Sequence, residues 1–80
     1  MMGVPLAMLS TNEEAEIITL AGGKGLVRRL SEMGFTHGTK VKVLHSGNPG
    51  PVLVSIRGSR VALGRGVAMK IIVNPREASS

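Results

Sequence analysis

His37 and His45 are the only imidazoles in the chain, a strand's length apart, and there is no cysteine to join them. Without cysteine the chain has no thiolate ligand, no thiol nucleophile and no disulfide. Zinc sites need several convergent protein ligands, so two separated histidines predict no native metal centre. His37 reads as a turn residue and His45 as a surface residue at a strand end. Exposed His and Glu can still capture zinc or iron adventitiously, and transition-metal binding is expected in that sense alone. Glu13, Glu14 and Glu16 bring three carboxylates close together in sequence. No histidine lies beside them to share acid–base work, and they read as a solvated acidic edge in or beside a turn. Gly22-Gly23-Lys24-Gly25 resembles a phosphate-binding loop only superficially. That motif needs a glycine where Ile18 stands and a hydroxyl where Gly25 stands, so the loop could neither wrap phosphates nor hold Mg²⁺. Ser31 has no local base to activate it. The residues therefore predict no catalytic residue, no cofactor site and no metal site.

Charge is the more informative property. Ten Lys and Arg face five acidic residues, a net +5. Residues 1–24 carry Glu13, Glu14 and Glu16 against Lys24, whereas the remainder carries nine basic residues against Glu32 and Glu77. Such a basic body suits an anionic or acidic partner, although Lys and Arg also simply solvate strand faces. The candidate partner-binding residues are Arg28 and Arg29, then Lys40, Lys42, Arg57 and Arg60. Lys40, Lys42, Arg57 and Arg60, on outward strand positions, could neutralise phosphates. Readers of single strands also supply aromatic platforms worth roughly 1–3 kcal/mol per base, and Phe35 is the only aromatic residue here. Nucleic-acid binding would be salt-sensitive and unspecific. The same poverty of aromatic rings argues against a proline-rich peptide groove.

The elements that must carry these residues follow from periodicity. At 80 residues the chain is one domain, of a size that buries only about 60% of its unfolded surface. Its 42% hydrophobic content is almost entirely aliphatic. No run approaches the roughly 20 apolar residues that cross a bilayer, and Pro5 interrupts an N-terminal run that lacks a basic leader. Absence of cysteine fits a reducing, cytoplasmic location. Residues 5–9 read as a short turn or helical turn, and residues 15–21 as the first strand. Leu26, Leu30 and Met33 then recur at helical spacing, with Gly34 suited to the stop and Phe35 placed to fold back. Alternation resumes with Val41 and Val43 inward and Lys40 and Lys42 outward. Val52, Val54 and Ile56 share the inner face of the next strand. Residues 46–51 form a dense turn signal, and Arg57-Gly58-Ser59-Arg60 a tighter reversal. Residues 64–68 read as one helical turn, and Ile71 with Val73 as the last strand.

So many short strands would expose unpaired edges unless the sheet curls shut. The expectation is a mainly β fold: a small barrel of about five strands, one short helix between the first two, and a helical turn before the last. Its interior is filled by its own side chains, leaving only the exterior for binding. Residues 5–73 form the ordered core of a single domain, and 74–80 a flexible polar tail.

Several segments carry a resemblance to a known family. They are Pro5-Leu6 with Leu9, residues 26–38 (LVRRLSEMGFTHG), Val41-Lys42-Val43-Leu44, residues 54–63 (VSIRGSRVAL), and Ala68 with Lys70-Ile71-Ile72-Val73. In that order and spacing the chain resembles the FeoA family, cytosolic accessory proteins of bacterial ferrous iron uptake. His37 stands where a proline commonly precedes the turn glycine, Ser59 replaces a larger side chain, and Gly64 loosens the approach to Ala68. The resemblance implies an SH3-like barrel and docking on the FeoB permease, whose cytosolic part binds GTP. It implies no catalytic residues and no metal ligands. Similar barrels end iron-dependent regulators resembling the diphtheria toxin repressor. The chain has no helix-turn-helix segment, and its start at Met1-Met2 favours a stand-alone protein over an isolated regulator domain. The functional expectation is a non-enzymatic, cytoplasmic module that assists ferrous iron transport through protein–protein docking. The alternatives are an isolated regulator-type barrel and an unspecific nucleic-acid binder.

Overall fold

The computed structural model describes residues 3–47 and 49–76. One antiparallel sheet of six strands carries the fold, in the order β1-β6-β2-β3-β4-β5. The strands are β1 (Val4–Pro5), β2 (Glu14–Leu20), β3 (Lys40–Ser46), β4 (Val52–Ile56), β5 (Ser59–Leu63) and β6 (Ile71–Pro75). A 3₁₀ helix at Leu6–Met8 follows β1, helix α1 (Lys24–Glu32) joins β2 to β3, and the short α2 (Arg65–Ala68) joins β5 to β6.

Alternation produces the strands as expected. Val41 and Val43 of β3 and Val52, Val54 and Ile56 of β4 are buried, while the residues between them lie toward the outside. Ala15 and Ile17 of β2 and Ile71 and Val73 of β6 complete the same inner face. Among the described residues no polar or charged residue is buried. The core is thus aliphatic apart from Phe35, which is fully enclosed.

Helix α1 ends in a Schellman arrangement. The Phe35 N–H donates to the Leu30 carbonyl (3.0 Å) and the Gly34 N–H to the Ser31 carbonyl (3.0 Å). This closure needs a left-handed residue, and Gly34 supplies it at φ +105°. Phe35 is thereby swung under the helix into the core.

Four expectations are corrected. The sheet has six strands, because Val4 and Pro5 pair with Val73 and Ile72 of β6; two residues carry no readable period. The sheet is barrel-like but, among the described residues, does not close by hydrogen bonding, since β1 and β5 end the strand order without pairing to each other. Asn74 and Pro75 extend β6 opposite Glu16 and Ala15, and the Arg76 N–H donates to the Glu14 carbonyl at 2.9 Å. The rest of the expected tail, 77–80, lies outside the described residues, as does Asn48 in the expected β3–β4 loop. Finally, Met33 is 44% exposed. The helix ends at Glu32, and Met33 is already its C-cap, so the last member of the apolar spacing turns away from the core.

Candidate functional site

The outer face of the sheet gathers the strand-borne cations. Register places Lys42 opposite Glu14 on one side and Ser55 on the other, and Ser55 opposite Arg60. Glu14, Lys42, Ser55 and Arg60 therefore form one row across four strands. Lys40 sits one step along, opposite Glu16. Directly opposed charges on neighbouring strands contribute roughly 0.2–1 kcal/mol each. Glu13 does lie beside the turn, where its Oε1 accepts from the Ser10 N–H, but Glu14 and Glu16 do not form the acidic edge there that sequence alone suggested. They belong to an interior strand, in register with the two lysines, although among the described residues only Arg28 and Glu32 close to ion-pair distance.

Arg57 joins this face at the β4–β5 turn. It is exposed, and with Lys40, Lys42, Ser55 and Glu14 it surrounds a shallow depression. Its backbone sits at φ 51°, followed by Gly58 at φ 81°. Two successive positive φ values make a type I′ hairpin turn, the kind whose twist matches the strands and whose first position favours Asn or Asp. Arginine there holds strained backbone. Its side chain lies against the helix stop: a Cβ added at Gly34 would come within 3.0 Å of Arg57 Cδ.

The helix-borne cations stand apart from the row. Arg28 is exposed and lies 3.6 Å from Glu32 across one helical turn, a solvated pair. Arg29 lines a groove between α1 and the β5–α2 corner, together with Leu26, Leu30, Met33, Leu63 and Val67. The groove holds about 190 Å³, below the roughly 300–1,000 Å³ usual for small-molecule sites. Its scale suits the side chains of another protein.

Arg65 escaped the sequence reading. Half-buried at the start of α2, it donates through Nη2 to the Ala7 carbonyl at 3.0 Å and through Nη1 to the Gly47 carbonyl. Ser46 Oγ accepts a longer contact at 3.4 Å. One guanidinium thus ties α2 to the 3₁₀ helix and to the end of β3. Its partners are mainly main-chain carbonyls, which carry no sequence signature.

The two histidines stay apart. His37 Nδ1–H donates to the Ile18 carbonyl at 2.7 Å, which fixes the turn before β3. His45 is exposed on β3. Among the described residues no three of His, Cys, Asp and Glu come together in a way that could hold a metal ion. No helix among the described residues is long and apolar enough to cross a membrane.

Fold and surface define a small SH3-like barrel whose chemistry lies on its exterior. The chain belongs to the FeoA domain family, which matches residues 4–75. It is 44% identical over 73 residues to a Methanocaldococcus jannaschii protein named for Fe(2+) transport, covering 91% of this chain and 88% of that one. The crystal structure of an iron uptake regulatory protein, FeoA, superposes with a TM-score of 0.87 at 32% identity, covering 94% of this chain and all of that one. FeoA of Stenotrophomonas maltophilia, described as a procaryotic SH3 domain protein and solved with zinc, gives 0.77 at 25% identity, covering 92% and 91%. A manganese-dependent transcriptional repressor shares the fold at 19% identity and a TM-score of 0.85, but this chain, 92% covered, spans only 37% of it. That likeness is one of fold.

Proposed function

We propose that this protein is a non-enzymatic accessory factor of ferrous iron transport, acting in the cytoplasm by docking on the cytosolic part of a FeoB-type permease. Family membership supports the transport role. One observation carries the mode of action: the interior is filled by apolar side chains with no buried polar group among the described residues. A partner can therefore meet only the outside. There the apolar groove at α1 and the basic row through Lys42, Arg60 and Arg57 lie at either side of β5. Among the described residues Arg29, Arg57 and Arg60 are the cations of the set without an opposed carboxylate across a strand pair or an ion pair, and they are the ones we assign to docking. Lys40, Lys42 and Arg28, each facing a glutamate, contribute less.

Charge reversal tests the assignment. Arg57→Glu with Arg60→Glu is expected to weaken capture of the permease's cytosolic part at least tenfold without lowering the thermal midpoint. Undiminished capture removes both residues from the docking surface. In cells, deleting the gene while keeping the permease should reduce ferrous iron uptake; uptake at the wild-type rate would sink the accessory role.

A further inference from the structure

The two ends of the sheet are not alike. β1 is two residues long and contains Pro5, two of the devices by which proteins blunt an exposed edge. β5 is five residues long, contains no proline and, among the described residues, has no strand on its far side. Its register with β4 begins at Ile56 opposite Ser59 across the tight Arg57-Gly58 turn. In such a hairpin the pairs alternate between hydrogen-bonded and non-hydrogen-bonded. Ser59, Val61 and Leu63 exchange bonds with β4, so the N–H and C=O groups of Arg60 and Ala62 point away from it. Among the described residues no other main-chain group pairs with either.

Directly beside that edge runs the groove lined by Leu26, Leu30, Met33 and Val67, with Ala62 on its wall. An open edge and an adjoining apolar slot are the two halves of a strand-addition site. Main-chain hydrogen bonds hold an incoming extended segment, and alternate side chains drop into pockets. We infer that β5 receives an extended, acidic segment of the partner protein as a seventh strand, apolar side chains in the groove and carboxylates against Arg60 and Arg57.

Charge selects this occupant over a second copy of the chain. Residues 33–76 contain seven Lys and Arg and no Asp or Glu. Two copies brought edge to edge would place one such basic stretch against another, and like charges across a strand pair are destabilising. An acidic segment reverses the sign of that contact. The basic stretch thus discourages self-pairing while attracting an unlike partner. The inference deepens the docking reading and rests on it for the partner's identity, though not for the capacity of the edge.

Two arms test it separately. In the first, a capped peptide of alternating valine and glutamate is titrated into the whole protein, with amide hydrogen exchange followed by residue. Slowed exchange confined to the Arg60 and Ala62 amides supports strand addition, and a valine–lysine peptide should leave them unchanged. Protection elsewhere, or none, overturns it. In the second arm, Ala62→Pro removes only an outward N–H, at an edge position where proline is tolerated. It should weaken permease capture at least tenfold with the thermal midpoint unchanged. If Ala62→Pro fails to fold, protection of the same two amides in the wild-type complex decides in its place. Undiminished capture by the proline variant, or unprotected amides in the complex, overturns strand addition and leaves docking standing. Peptide protection at β5 with no wild-type permease capture supports the edge and overturns the docking reading.

Discussion

At the scale of single residues, Arg57 carries the clearest conflict between local preference and position. A left-handed backbone costs a side-chain-bearing residue about 1–2 kcal/mol, and Asn relieves much of this by bonding its own backbone. Asn12, at φ 74°, occupies such a position in this chain without conflict. Arg57→Asn is therefore expected to raise stability by about 1 kcal/mol, read as a higher urea midpoint, while permease capture falls. A variant that gains stability and keeps full capture would show that the arginine is incidental. Gly34 sets the opposite case. Its φ of +105° and the 3.0 Å approach to Arg57 Cδ both resist a methyl group. Gly34→Ala should lose about 1–2 kcal/mol, and adding Arg57→Ala should restore only the steric part, leaving the backbone strain in place.

Among the elements, those with a repeating side-chain period were legible in sequence, and those made by main-chain or cross-strand encounters were not. β3 and β4 announce themselves through Val41, Val43, Val52, Val54 and Ile56, because every second residue must face one core. The stop of α1 is equally plain in Gly34 and Phe35. β1 is too short for any period, and the opposition of Glu14 and Glu16 to Lys42 and Lys40 depends on a register that only the folded sheet defines. The groove came to light through Met33, whose spacing reads as core until the helix ends one residue before it. The tie made by Arg65 was the least readable, since its carbonyl partners belong to Ala7 and Gly47. Hydrogen bonds from a charged donor contribute roughly 1.5–3 kcal/mol. Arg65→Met, which keeps the stem and removes the donors, should therefore lower unfolding free energy by about 2 kcal/mol. Arg65→Lys should recover only part, because one ammonium cannot fork to two separate carbonyls. Equal urea midpoints for wild type and the methionine variant would mean that α2 and the 3₁₀ helix hold together without it.

The molecule as a whole presents a basic row and an apolar groove at either side of β5, and the two contributions respond differently to salt. Binding to a polyanion rests on counterion release and falls steeply, with a slope near one decade per decade of salt for every phosphate neutralised, roughly 0.9 in duplex DNA. Two of the strand-borne cations, Lys40 and Lys42, already face glutamates, which leaves fewer free for that purpose. At about 0.15 M salt the screening length is about 8 Å, so exposed arginines act only on close neighbours. Burial of Leu26, Met33 and Val67 beneath a partner is indifferent to this screening, and the main-chain bonds of an added strand nearly so. Raising salt from about 50 to 500 mM is therefore expected to release the protein completely from a polyanion resin while weakening permease capture less than tenfold. A parallel collapse of both would reduce the docking surface to its charges. The groove and the β5 edge would then have no part in recognition, and the nucleic-acid reading would regain its place.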